Sequence, residues 1–219
     1  MAGSKVLVVV AHPDDEVLMC GGTIAKHVAA GDDVHVLIFT DGVWSRADAT
    51  ENDILERVGM LRESSRILCY RWEVLRFPDN QMDKEALLDL VKIIEYKLNK
   101  IIPSIVYTHW HGDMNLDHRI VSEATKTACR PQPGCPVKML LMGEVPSSSE
   151  WAGGFNPNVF MDVTDTWDKK LVALQCYKEE LREGNHPRSI HKIESLAQYR
   201  GGTVGVKYAE AFELVRMGP

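Results

Sequence analysis

The stretch KVLVVVAHPDDEVLMCGGTIAKHVAAGDDVHVLIFT, residues 5–40, decides the fold. Its opening, Lys5 to Ala11, is a short β-branched run of the kind that forms a strand buried on both faces. Asp15 to Ala30 then places Val17, Leu18, Ile24 and Val28 at helical spacing and stops at Gly31, a residue suited to a helix C-terminus. Val34 to Thr40 returns to strand. A strand, a helix and a strand in so short a span make a crossover unit whose strands run parallel.

The same alternation continues outward. Ile54 to Leu68 reads as a helix and Glu73 to Phe77 as a strand. Lys84 to Asn99 carries Leu87, Leu88, Val91, Ile94 and Leu98 as a core-facing helical stripe. Ile105 to His109 is a fourth strand and His118 to Cys129 a fourth helix. Lys138 to Val145 and Val159 to Val163 read as strands, Asp165 to Arg182 and Ile190 to Tyr199 as helices, and Ala211 to Met217 as a strand that closes the sheet. Gln132 to Pro136 and Ser147 to Gly154 are loops. No repeat or linker interrupts the pattern, so one domain over 1–219 is expected. The class is α/β, a mostly parallel sheet with helices on both faces. Ligands of such sheets bind at the carboxyl ends of the strands. The residues falling there are His12, Asp14 and Asp15, then Asp41-Gly42, then Asp79-Asn80. His109, His111, Asp113, Asn115, Asp117 and His118 follow the fourth strand.

Composition narrows the function. The chain has 219 residues, 45% apolar and 26% charged, which is ordinary for a globular protein. A net charge of -6 with scattered Lys and Arg argues against nucleic acid as a partner. No apolar run approaches the length of about 18 residues that would span a bilayer. Met1 to Ser4 has no signal-peptide pattern, and a cytoplasmic location is expected. The five cysteines (Cys20, Cys69, Cys129, Cys135, Cys176) include no Cys-x-x-Cys pair, so buried free thiols are expected. Any metal must then be held by His and carboxylate.

Ala11-His12-Pro13-Asp14-Asp15-Glu16 is the sharpest feature. Hydrolytic zinc takes about three protein ligands and keeps one position open. His12 at the strand end and Asp15 at the helix start are spaced to share a cation, with Asp14 beside them, free to take a proton. The competing reading is a plain helix start, because Pro and acidic residues favour the first turn. That reading leaves His12 and the second cluster unexplained. In the second cluster, His118 offers a third ligand from across the sheet. Asp117 offers a group that orients a neighbour, with a helix N-cap as its alternative. His109, at a strand end, reads as a structural group.

The chain resembles the PIG-L/LmbE-like family of zinc-dependent N-acetylglucosaminyl deacetylases. The matching residues are His12-Pro13-Asp14-Asp15-Glu16, the Gly21-Gly22 pair behind them and Asp117-His118-Arg119. His186-Pro187-Arg188-Ser189, Arg200-Gly201 and Ala209-Glu210-Ala211-Phe212 also match. The resemblance implies a Rossmann-like fold and Zn2+ held by His12, Asp15 and His118. It implies Asp14 as general base, with Asp117 as the second catalytic carboxylate, and N-acetylglucosamine-type amides as substrates. Many members carry a histidine three residues before the last ligand; this chain has Asn115, and His109, His111 or Asn115 itself is left to fill that role.

The expected activity is removal of the acetyl group from an N-acetylated sugar or glycoconjugate, a small-molecule partner. Trp44, Trp110 and Trp151 follow strands, where an indole can stack on a sugar ring, and Trp44 is taken as a substrate contact. Arg57, Arg188, Asn115 and His186 are the other candidate substrate contacts. The rival expectations are a zinc amidase acting on a thiol-sugar conjugate or other acylated amine, and a sugar- or nucleotide-binding module without catalysis. The module lacks a Gly-x-Gly-x-x-Gly turn after the first strand. The sequence leaves the oligomeric state open, a homo-oligomer included.

Overall fold

Val6, Val8 and Val10 enter one apolar layer while Leu7, Val9 and Ala11 enter another. The first strand, β1 (Lys5–Val10), is thus buried on both faces, which is why its sequence is continuously apolar rather than alternating. The computed structural model describes residues 3–218. Met1, Ala2 and Pro219, the ends of the expected 1–219 domain, lie outside the described residues.

From β1 the chain runs through α1 (Asp15–Ala29), β2 (Asp33–Thr40), α2 (Glu51–Leu68), β3 (Arg71–Phe77), α3 (Leu87–Ile101) and β4 (Ile105–His109). It continues with α4 (Leu116–Ala128), β5 (Met139–Gly143), α5 (Ser149–Ala152), β6 (Val159–Asp162), α6 (Trp167–Cys176), α7 (Ile190–Val204) and β7 (Ala209–Met217). The strands form one sheet in the order β3-β2-β1-β4-β5-β7-β6. The first five pair in parallel, and β7 enters antiparallel between β5 and β6. Residues of α1, α2, α6 and α7 pack on one face, and residues of α3 and α4 on the other. This is the α/β, mostly parallel, two-faced sheet expected from the sequence.

The order reverses at β1, which has β2 on one side and β4 on the other. Val6 pairs with Ile105 and Val9 with Thr108, so β1 and β4 run in step and end together. Their carboxyl ends bound the crevice where such sheets bind ligands. His12 leaves one strand end and the Trp110–His118 segment leaves the other.

Several boundaries differ from the sequence reading. α2 starts at Glu51 rather than Ile54, because Thr50 and Asp53 form a reciprocal capping box. The expected helix over 165–182 ends at Cys176: Tyr177 turns its hydroxyl into the core, and the following chain is free to carry Glu180, Arg182 and Arg188 elsewhere. The 147–154 loop contains the one-turn helix α5. The strand expected to close the sheet lies inside it, with β6 at the edge. α7 runs on to Val204, where Gly205 takes a left-handed cap at φ 80°.

α1 is broken at Cys20, whose φ of -144° and ψ of 28° are not helical. The break exposes a second set of helix N–H groups inside the protein. Glu210 of β7 accepts from the N–H of Gly22 at 2.9 Å and of Thr23 at 2.7 Å. Lys170 pairs with Glu210 and donates to the Leu18 carbonyl at 3.0 Å. Gly22 is required here: a Cβ would lie 2.8 Å from the Val163 side chain. Lys170 and Glu210 are both buried. Removing one partner of such a pair strands the other charge, at a cost of about 3–5 kcal/mol. Lys170→Met is therefore expected to lower unfolding stability by about 3 kcal/mol or more in a denaturant titration, and adding Glu210→Gln to recover part of that loss. Independent, additive losses would show that the two side chains do not act as a pair.

Candidate metal centre

Three acceptor atoms converge at the ends of β1 and β4. His12 Nδ1 lies 3.1 Å from Asp15 Oδ2 and 3.2 Å from His118 Nε2, and His118 Nε2 lies 3.2 Å from Asp15 Oδ2. All three residues are buried. Asp15 Oδ2 is held in place by the His12 main-chain N–H at 2.9 Å, while its Oδ1 is buried without a partner.

The neighbours fix which ring nitrogens carry lone pairs. His12 Nε2 faces Asp79 Oδ1 at 3.2 Å and Asp117 Oδ2 at 3.3 Å. His118 Nδ1 faces Asp113 Oδ1 at 3.3 Å. Carboxylates at those positions keep a proton on the nitrogen they face, and the opposite nitrogens then present lone pairs. Two lone pairs and a carboxylate oxygen therefore point at one another across about 3 Å. Such an arrangement is repulsive unless a cation sits among them. In the metal-free chain, protons serve that role. Burial favours neutral rings, but Asp117, Asp15 and Asp79 hold His12 well above its usual pKa, and Asp15 with Asp113 raises His118. Asp15 is held well below the carboxylate range: burial opposes this, and the charge and hydrogen bond of His118, with the hydrogen bond of His12, outweigh it.

The donor set fits zinc. Ligands at about 2.0–2.1 Å in a tetrahedron lie about 3.3 Å apart, close to the spacings here, and two imidazoles with one carboxylate are hydrolytic-zinc ligands. The supporting carboxylates are themselves held. Asp117 accepts from the N–H of Asn80 at 2.7 Å and of Met82 at 3.2 Å. Asp79 accepts from the Ser45 hydroxyl and N–H. Asp113 accepts from the hydroxyls of Ser148 and Ser149 and from the Asn115 N–H.

Asp14 stands immediately before α1. An aspartate in that place normally folds its carboxylate back onto the first N–H groups of its helix. Asp14 caps nothing; its Oδ2 accepts from Arg57 Nη2 at 3.2 Å and Arg188 Nη1 at 3.1 Å. Its backbone sits at φ 117°, a conformation that costs a non-glycine residue about 1–3 kcal/mol. Glu16 holds it there, accepting the Asp14 N–H at 2.9 Å on one oxygen. The other oxygen accepts from Tyr70 at 2.8 Å and Tyr177 at 2.7 Å. Burial lifts the Glu16 pKa to about 7, against the pull of these hydrogen bonds. Burial also raises the Asp14 pKa, Arg57 and Arg188 pulling it back.

The remaining sequence candidates separate. Asn115, not Asp117, is the N-cap of α4: its Oδ1 accepts from the N–H of Asp117 at 2.9 Å and of His118 at 3.3 Å. Its amide nitrogen has no hydrogen-bond partner among the described residues, and Asn115 lines a cavity of about 200 Å3. That cavity is lined by His12, Asp14, Asp79 and Asn115, and by Arg46, Arg57, Glu180, Arg182 and Arg188. Trp44 lies outside it, half-exposed, on a neighbouring cavity of about 800 Å3 lined also by Ile54, Leu55, Arg76 and Pro78. His186 lines neither; its Nδ1 accepts the Arg188 N–H at 3.1 Å and shapes that turn. His109 has its Nε2 occupied by the Ala11 N–H at 2.8 Å and stacks on His118 with ring centroids 3.9 Å apart. Burial, with His118 beside it, pushes its pKa down to about 3. It is a neutral platform, not a donor to the cavity. Trp110 is buried and His111 exposed. Sequence reasoning placed Asp79 and Asp113 at strand ends without giving them a task, and passed over Arg46, Glu180, Arg182, Tyr70 and Tyr177. The last four come from turns with no local motif.

Comparison with known proteins gives a consistent picture. The PIG-L family model, described as GlcNAc-PI de-N-acetylase, matches residues 7–129. Diacetylchitobiose deacetylase of Thermococcus kodakarensis is 28% identical over 224 residues, covering 96% of this chain and 83% of the relative. The 4-oxalmesaconate hydratase of Pseudomonas putida is 29% identical over 194 residues, covering 78% and 71%. Among solved structures, the conserved protein TT1542 from Thermus thermophilus superposes with a TM-score of 0.80 at 25% identity, covering 96% and 94%. The matched span 7–129 runs from β1 through α4 and includes His12, Asp15 and His118.

Elemental analysis of the purified protein is expected to give about one zinc per chain. Asp15→Ala and His118→Ala should each lose it, and Asp113→Ala should weaken zinc affinity by about 10–100-fold. Full zinc occupancy in both ligand variants would remove the triad as the metal centre.

Proposed function

The chain belongs to the PIG-L family of deacetylases, and from that premise we propose that it removes the N-acetyl group from an N-acetylglucosamine-type sugar or glycoconjugate. The reading rests on one observation. Three converging acceptors that fit zinc lie beside an aspartate which is turned away from its own helix and opens onto a cavity. His12, Asp15 and His118 would hold the metal, and zinc supplies Lewis acidity that polarises an acyl oxygen and acidifies water.

The chain's own residues do the rest. Asp14 takes the proton from the attacking water and returns it to the amine as the carbon–nitrogen bond breaks, a contribution of about 10²–10⁴ in rate. Burial raises its affinity for a proton, while Arg57 and Arg188 fix the carboxylate in position. Asp79 and Asp117 hold the His12 ring, and Asp113 the His118 ring, so the donor set is already formed before substrate arrives. The Asn115 amide nitrogen supplies a donor on the cavity wall where many family members have histidine. At about 200 Å3 the cavity is below the roughly 300–1,000 Å3 of common ligand sites, which suits one sugar ring with its acetamido group. The same geometry serves other acylated amines, a thiol-sugar conjugate among them.

A second reading, addition of water to an unsaturated carboxylate, draws support from the likeness to a hydratase and from the arginines around the cavity. Acetate release separates the two. Zinc-loaded protein is expected to release acetate from N-acetylglucosamine-type substrates. Asp14→Asn should keep the zinc and lose at least about 10²-fold in kcat. Undiminished turnover in that variant would remove Asp14 from the reaction. Glu16→Ala, which frees the Asp14 backbone, should also keep zinc and leave KM little changed while kcat falls by about 10²-fold. An unchanged kcat there would mean that the strained backbone plays no part.

A further inference from the structure

Four arginines line the cavity beside Asp14, in a chain whose overall charge is -6. Their protein partners do not use them up. Arg57 is buried and binds Asp14 and Glu180. Arg188 donates through Nε to the Ser147 hydroxyl at 2.7 Å and through Nη1 to Asp14, leaving Nη2 without a protein acceptor among the described residues. Arg46 engages Glu180 through one nitrogen and is otherwise open to solvent. Among the described residues Arg182 binds no carboxylate; its side chain donates to the main-chain oxygens of Glu179 and Leu181, both through Nη1. Arg46, Arg182 and Arg188 thus each keep part of a planar guanidinium fork free at one small cavity.

We propose that the substrate carries an oxyanion, a phosphate or a carboxylate, which Arg46, Arg182 and Arg188 bind while the acetamido group lies at Asp14. The inference rests on the deacetylase reading and narrows its substrate class. A guanidinium fork matches carboxylate and phosphate oxygens in pairs, and its hydrogen bonds to anions are stronger than those to neutral hydroxyls. Asp14, Asp79 and Glu180 neutralise part of the cluster, and Asp14 and Glu180 hold Arg57 and Arg188 in place, but Arg182 has no carboxylate partner among the described residues. A neutral sugar would occupy the cavity without discharging it; an anion does so directly. All three arginines come from connecting segments, Arg46 after β2 and Arg182 with Arg188 between α6 and α7, whereas the metal triad comes from the ends of β1 and β4. Substrate charge is therefore read by a different part of the chain from the part that performs the reaction.

The test compares zinc-loaded protein on four substrates: N-acetylglucosamine, its 1-phosphate, its 6-phosphate and N-acetylmuramic acid, whose anion is a carboxylate. Acetate release should be at least about tenfold more efficient in kcat/KM for one or more of the anionic sugars than for the neutral one. The phosphate and carboxylate arms identify which oxyanion is read. In Arg182→Gln and Arg46→Gln that preference should collapse through KM, and Arg182→Lys should restore part of it. Arg182 is exposed and makes only local contacts, so its replacement leaves the fold intact. Equal or better turnover of the neutral sugar would overturn the inference while leaving the deacetylase reading standing. If no sugar releases acetate, the deacetylase reading fails, and calorimetric titration with inorganic phosphate decides the anion site separately. Binding that weakens in Arg182→Gln supports the site; absent or unaltered binding overturns it.

Discussion

The two histidine lone pairs and the carboxylate oxygen aimed at one another across about 3 Å are the constraint on which the site depends. With lone pairs on both facing ring nitrogens such an arrangement is repulsive, and protons or a metal relieve it. The surrounding carboxylates make the demand sharper, because Asp79 and Asp117 behind His12, and Asp113 behind His118, prevent the rings from swinging round to relieve it. The sheet makes it possible. Only where β1 and β4 end side by side can residues 12 and 118 meet, and the in-step pairing of Val9 with Thr108 sets that meeting.

A second tension sits beside the first. Asp14 holds a conformation that aspartate rarely adopts, and the interactions that hold it come from far along the chain. Glu16 accepts its N–H, and Tyr70 and Tyr177 fix Glu16 in turn. The Arg57 guanidinium lies 5.6 Å from the centroid of the same Tyr177 ring and reaches the Asp14 carboxylate. Backbone and side chain of Asp14 are therefore held from both ends by one connected group of buried residues. Strain of this kind persists only when its surroundings over-determine it, which these do.

Most of the fold was legible, because strands buried on both faces and helices with one apolar stripe leave different periods in the sequence. The convergence of His12, Asp15 and His118 was legible too, since candidate metal ligands at strand ends are limited to a few residue types and spacings. What escaped shows where local patterns stop. The stretch 165–182 has helix-compatible composition throughout, and only the long-range contact of Tyr177 with Glu16 explains an end at Cys176. The helix-capping role went to Asn115 because that side chain, two residues before Asp117, reaches the free N–H groups of α4 first. Trp44 was credited as an aromatic after a strand, and His186 through the family resemblance of the segment His186-Pro187-Arg188-Ser189. Their positions depend on loop paths that no short-range rule records.

The division between strand ends and connecting loops also bears on how proteins so alike can carry different names. The matched span of the family model holds His12, Asp14, Asp15, Arg57 and His118, and it ends before Glu180, Arg182 and Arg188. A deacetylase and a hydratase both resemble this chain, and both activities require water to be activated near an electrophilic carbon. On the proposed reading, the acceptor triad and its aspartate would meet that common need and leave the electrophile unspecified. Specification has to come from groups that contact the rest of the substrate, and those lie on loops that can change without disturbing the sheet. Arg182 is the clearest case: it is exposed, and among the described residues its side chain bonds only to the nearby main-chain oxygens of Glu179 and Leu181. A guanidinium so placed contributes little to folding, and it lines the cavity beside Asp14.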